Sequence, residues 1–184
     1  MLVLVFCHAT TAQVDGRPRD LAESSSSRTV SSRTISSGTR ADLSIISRDG
    51  HTAFFASGTN LIALDVADPQ QRRVIASTEL AAPARRLTIL GDLLVATEDA
   101  NTVQLFVSSS NQPLQPISVL RTAAPPMDIA RSGNVLLIAE AAAGLEILDL
   151  SKPRAEHAFL HLGELVNAVE MRSGLAAVTY QEKG

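Results

Sequence analysis

The chain has 184 residues, with 19 acidic against 16 basic side chains for a net charge of −3, 45% hydrophobic residues, 3% aromatic residues and no Trp. That length and balance suit one domain with a true core. The mildly acidic charge and the shortage of rings leave neither a basic footprint nor a stacking platform for nucleic acid, and no apolar run approaches the roughly 20 residues that span a bilayer.

The first residues, MLVLVFCHATTAQ, run from apolar to small and polar. That is the order of a signal peptide's hydrophobic and cleavage regions, so residues 1–12 read as a short or truncated leader cut after Ala12. No Lys or Arg precedes the apolar run, and a buried first strand is the alternative. Cleavage would remove Cys7, the only cysteine, and a mature chain without thiols suits an oxidising, extracytoplasmic compartment.

Residues 13–40 form a linker rich in Ser, Thr and Arg. From Ser26 to Arg40 it can be phased as SSRTV, SSRTI and SSGTR. A period of five matches neither the strand period nor the helix period, so the segment is expected to be polar and loosely held.

From Ala41 to Gly184 the chain repeats. Gly50, Gly91, Gly133 and Gly174 stand 41, 42 and 41 residues apart, and each precedes a short apolar run: HTAFFAS, DLLVATE, NVLLIAE and LAAVTYQ. A second run follows about ten residues after the Gly: NLIALDVADP, TVQLFVSSSN and GLEILDLSKP. This stacks Leu61 with Val103 and Leu145, Leu64 with Phe106 and Leu148, and Asp65 with Asp149. A mixed run and a last run ending at the next Gly complete each unit.

Short apolar runs punctuated by Gly, Pro, Asn, Asp and Ser are strand signals. Ala141 to Ala143 have helical propensity, but they align with the turn residues SGTN and EDAN of the other copies, so repeat position prevails. Four strands in about 42 residues make one propeller blade, which buries both its faces only against neighbouring blades. The predicted fold is all-β: a propeller of four-stranded antiparallel blades, about three complete and one partial. Inner strands, the first of each blade, are expected near Leu43 to Arg48, Arg85 to Leu90, Met127 to Arg131 and Asn167 to Arg172. Leu64, Phe106 and Leu148 are expected between blades. The chain stops mid-repeat at Gly184, in the column of Gly144, which suggests a piece of a larger propeller; a four-bladed ring completed by residues 28–35 is the alternative.

The stretch GNVLLIAEAAAGLEILDLSKP, residues 133–153, resembles the LVIVD repeat of bacterial and archaeal surface-associated propellers. Gly133, Gly144, Leu145, Ile147, Leu148, Asp149, Ser151 and Pro153 match in place, and the repeat from His51 keeps Leu61, Leu64, Asp65, Asp68 and Pro69. The repeat from Asp92 departs, with Val107 and Asn111 in the Asp and Pro columns. The resemblance implies a propeller whose repeats are structural, and it implies no activity.

Candidate chemistry is sparse. Asp65 and Asp149 end a strand just before a turn, where a carboxylate accepts backbone N–H groups, so they read as turn caps. His157 and His161 are four apart in an expected strand, about 13 Å at ~3.3 Å per residue, too far to share one metal ion. No nucleophile elbow, phosphate-cradling loop or zinc spacing occurs, so no catalytic residue, cofactor site or metal site is assigned. One column remains: Arg48, Arg131 and Arg172 stand two residues before a repeat Gly, with Ile89 in the other copy. Equivalent positions share height around a propeller axis, so these guanidinium groups are candidates for gripping an anionic ligand or a partner's carboxylates. Arg residues solvated beside turns are the plainer alternative.

The expected function is a non-enzymatic, extracytoplasmic binding scaffold for a protein or glycan partner, without a cofactor. The alternative is a propeller-based hydrolase or dehydrogenase whose catalytic residues lie in further blades.

Overall fold

The structure, a computed structural model, describes residues 3–8, 42–99, 101–109, 113–151 and 156–181. The linker at 13–40 lies outside the described residues. A strand, β1 (Val3–His8), precedes it. After it come three four-stranded antiparallel sheets, each meandering in sequence order. The first holds β2 (Leu43–Ile46), β3 (Thr52–Ser57), β4 (Asn60–Asp65) and β5 (Arg73–Glu79). The second holds β6 (Ala84–Leu90), β7 (Leu93–Glu98), β8 (Thr102–Val107) and β9 (Pro116–Arg121). The third holds β10 (Asp128–Ser132), β11 (Val135–Glu140), β12 (Gly144–Asp149) and β13 (Glu156–Leu160). A fourth pairs β14 (Leu165–Arg172) with β15 (Leu175–Gln181). The expected strand positions and the all-β class are therefore observed, and Ala141 to Ala143 form the β11–β12 turn.

Burial on both faces follows from stacking. In β7, Leu94 and Ala96 join Phe54, Leu61 and Phe106 in a cluster between the first and second sheets. Their neighbours Leu93 and Val95 point the other way, into a cluster with Leu136, Ile138 and Leu148 of the third sheet. Leu137, Ala139 and Leu145 then pack on Val166, Val169, Ala176 and Val178 of the fourth. Every residue of β7 is consequently buried. The columns read from the repeat are core: Leu61, Val103, Leu145 and Leu148 are fully buried, and Leu64 and Phe106 nearly so. Side-chain alternation carries the apolar stripe to both faces.

The fourth sheet departs from the phasing. In the second and third sheets the glycine is the first of two turn residues, since Leu90 pairs with Leu93 and Ser132 with Val135. In the fourth, Arg172 pairs with Leu175, so Ser173 comes first and Gly174 second. Ser173 and Gly174 both have positive φ, 50° and 79°, the backbone of a type I′ hairpin turn. A one-residue shift turns every side chain to the opposite face. Val178 thus packs back on the third sheet, although its repeat column is that of Leu137, which faces forward.

The other edge of β15 is taken by β1, with Val3 opposite Leu175 and His8 opposite Tyr180. This is where a third strand stands in the complete sheets, but the pairing is parallel, whereas β12 pairs antiparallel to β11. The segment read as a leader is thus a paired strand here.

Candidate functional site

The charged residues of the first strands join neighbouring sheets. Arg86, Asp128 and Val169 occupy one repeat column, and contacts run along it from sheet to sheet. Arg86 Nη1 lies 3.6 Å from Asp128 Oδ1 and donates to the Met127 carbonyl at 3.3 Å. Asp128 Oδ2 accepts the Val169 amide at 3.0 Å. Beside them Arg85 pairs with Asp99 within the second sheet. This column is visible in the sequence only once the registers are known, because Ile45 fills its first copy and Val169 contributes its backbone.

Arg131 is part of the same interlocking. Its Nη1 donates to the Leu90 carbonyl at 3.1 Å and to Asp92 Oδ1 at 2.5 Å, while Nε donates to the Gly133 carbonyl at 2.8 Å. It thereby ties the β10–β11 turn to the β6–β7 turn of the preceding sheet. The hydrogen bond from the Arg131 guanidinium holds the Asp92 carboxyl below the usual carboxylate range, because a donated charge-assisted hydrogen bond favours the ionised form.

The other two candidate arginines are exposed. Arg48 lies in the β2–β3 connection, next to Asp49, which accepts from the Ser47 hydroxyl at 2.5 Å and the His51 amide at 3.0 Å. Those bonds hold the Asp49 carboxyl below its ordinary range. Arg172 ends β14 and pairs with Leu175, so its structural counterpart is Ser132 of the third sheet, one step from Arg131. Topology still places all three at the same end of their sheets, the end that carries the β2–β3, β10–β11 and β14–β15 turns.

The aspartate caps are observed. Asp149 Oδ1 accepts the Ser151 amide at 3.0 Å and its hydroxyl at 2.6 Å, and Asp65 Oδ1 accepts the Ala67 amide at 3.1 Å. His157 lies in β13, and its Nδ1 is 2.5 Å from Glu146 Oε1; His161 follows the strand and places Nδ1 3.1 Å from the Ala143 carbonyl.

Sequence reasoning passed over the buried glutamates. Glu98 and Glu140 end β7 and β11 in one repeat column and are buried with Glu146. Glu98 Oε2 accepts the Ala82 amide at 2.7 Å, and Glu140 Oε2 accepts the amides of Ala123 and Ala124 at 2.7 and 3.2 Å. Each therefore holds the connection that enters its own sheet. Desolvation raises the Glu98 carboxyl. Desolvation together with the hydrogen bond and charge of Glu146 raises Glu140 to about 7. The signal was present as S, E, E and Q closing the four glycine-led runs, but a polar residue at a strand end also fits an exposed turn.

Among the described residues no group of three or more His, Cys, Asp or Glu is placed to hold a metal ion. A shallow depression of ≈ 460 Å³ on the first sheet is lined by Asn60, Leu61, Ile62, Ser77, Thr78 and Glu79. It offers a single carboxylate, that of Glu79, beside the neutral side chains of Asn60, Ser77 and Thr78.

Sheets of this size, stacked face to face in series, match solved propellers. The computationally designed Ika4 protein superposes with a TM-score of 0.55 at 11% identity, covering 70% of this chain and 78% of that one. The RRP9 WD40 repeats give 0.52 at 13% over 72% of this chain, and the Myceliophthora thermophila Cps50 (Swd1) β-propeller domain gives 0.54 at 15% over 69%. The fold is a β-propeller. The chain spans 41% and 43% of those last two chains, and at such identities the likeness shows the fold alone. No family model matches the chain, and no curated protein does.

Proposed function

We propose that this propeller is a non-enzymatic binding scaffold whose turn-bearing end recognises an acidic protein segment or an anionic glycan. The observation that carries this reading is the placement of exposed Arg48 and Arg172 at that end. Arg131 stands at the same end with its guanidinium held by Asp92, Leu90 and Gly133, so it orders the rim while the other two meet the ligand. A guanidinium offers planar paired donors to a carboxylate or sulfate. The motif match over residues 133–153 supports assigning the repeats to the LVIVD type, and the apolar N-terminus supports an extracytoplasmic location.

The test uses a polyglutamate peptide and a sulfated oligosaccharide as probes. Binding to either should weaken about tenfold in Arg48→Ala plus Arg172→Ala and should fall with salt. Equal affinity for both proteins, or no binding by either, removes the anion reading. N-terminal sequencing of the protein recovered from its cells tests the location: a start at Gln13 supports export, and an intact Met1 opposes it.

A further inference from the structure

Glu140, Glu146 and His157 lie on one face of the third sheet, the face turned to the second. Ile138 pairs with Glu146, and Leu148 with His157, so Glu140, Glu146 and His157 form a diagonal across β11, β12 and β13. Glu140 and Glu146 are 0% and 1% exposed. Glu140 pairs with Gly144, so Glu146 is its diagonal neighbour on the same face, a spacing that long side chains bridge, and Glu140 Oε1 and Glu146 Oε2 have no donor. Two buried acceptors without donors are costly, whereas one proton between them satisfies both. The remaining oxygens are occupied: Glu140 Oε2 by the Ala123 and Ala124 amides, and Glu146 Oε1 by His157.

We propose that this pair is a proton-operated clasp: with one proton shared between Glu140 and Glu146, it holds the β9–β10 connection against the third sheet, and it lets go when that proton leaves. Loss of the proton puts two carboxylates in a buried site, where their repulsion opposes the Ala123 and Ala124 amide bonds that favour ionised Glu140, and Glu140 is the partner that yields because it ends its strand beside the turn. His157, with 40% of its side chain exposed, links the buried pair to solvent. The movement would reach the fourth sheet, since Ala141, next to Glu140, accepts the Val166 amide at 2.9 Å.

Among the described residues few other charges face the pair. From the second sheet, the facing strands present Thr97, Val103 and Leu120, while Glu98 and Arg121 lie on that sheet's other face. On β10, Asp128 is engaged by Arg86 and the Val169 amide. Beside the turn, His161 contacts the Ala143 carbonyl. Glu164 stands just before β14, and Glu170 is exposed with its register partner Ala177 on the side away from the third sheet. Glu146 is the charged group that acts on Glu140, adding to its burial and raising it to about 7.

The second sheet supplies the control chemistry, because Gln104 stands in the column of Glu146 and Glu98 in that of Glu140. Hydrogen exchange of the Ala123 and Ala124 amides, corrected for intrinsic rates, reads the clasp in the intact chain. Their protection should fall about tenfold between about pH 6 and about pH 8, as expected for a carboxyl ionising near neutrality. Glu146→Gln provides a permanent donor, so its protection should stay flat over that range. Carboxyl carbon NMR of the unmodified protein supplies a second reading, one proton leaving the pair near neutral pH. Flat protection in the wild type, an unchanged slope in Glu146→Gln, or carboxyls that both ionise in the ordinary acid range would each overturn the proposal.

Discussion

At the scale of single residues, side-chain identity matters most where it is buried or spent on backbone. Leu148 is fully buried among Leu136, Ile138 and Leu93, so Leu148→Ala should cost about 2 to 5 kcal/mol in chemical denaturation. Asp149→Ala removes a turn cap made by two hydrogen bonds from Ser151 and should cost about 1 to 2 kcal/mol in the same assay. The pH response has opposite signs at two carboxyls. Asp92 is held below its ordinary range by Arg131; its contribution is present above the unfolded value and lost as pH falls through the folded one. Arg131→Ala should return the Asp92 titration, followed by NMR, to the ordinary carboxylate range. Glu140 is raised from 4.5 to about 7, so its contribution is complete below 4.5 and lost as pH rises through about 7. Stability should therefore be lower at about pH 8 than at about pH 5 by on the order of 2 to 3 kcal/mol from this group, and the urea midpoint of Glu140→Gln should lose most of that slope. Both aspartate caps were legible in the sequence because a cap needs only local backbone. The Glu140 pair was not, because its partners come from three strands.

At the scale of elements, the repeat located β2 to β15 and the register decided their faces. Gly144 opens β12 with φ of 102°, and a Cβ there would overlap the Leu160 carbonyl oxygen of the neighbouring strand. Its place in the GL motif thus has a steric reason, and Gly144→Ala should cost about 3 kcal/mol or more, read as a lowered unfolding midpoint. The β14–β15 hairpin shows what four-glycine phasing misses. Counting glycines aligned Arg172 with Arg131 and Val178 with Leu137, but a Ser173–Gly174 turn shifts the hairpin by one and reverses β15. Loop geometry sets register, and a two-residue turn accepts glycine at either position. Strand β1 poses a separate test. If Val3–His8 holds the edge of β15, deleting residues 1–12 should strip exchange protection from alternate amides of residues 175–181, whereas protection unchanged by the deletion would favour the leader reading of that segment.

At the scale of the molecule, stability comes from stacking sheets whose faces are both apolar, so a circular dichroism spectrum should be β-dominated with little helix. The sequence by itself determined the repeat length, four strands per unit, the turn at Ala141 to Ala143 and the core columns, since each follows from periodicity along a single chain. Alternation within a strand and punctuation by turn residues are local properties, and local properties survive in one dimension. Only the tertiary structure decided what the charges do. The column of Arg86, Asp128 and Val169, the pairing of Arg131 with Asp92, and the meeting of Glu140 with Glu146 and His157 join residues 6 to 42 positions apart across strands or sheets. Whether an arginine reaches solvent or a neighbour's carboxylate depends on the distance between surfaces, and that distance is set by how the apolar faces pack.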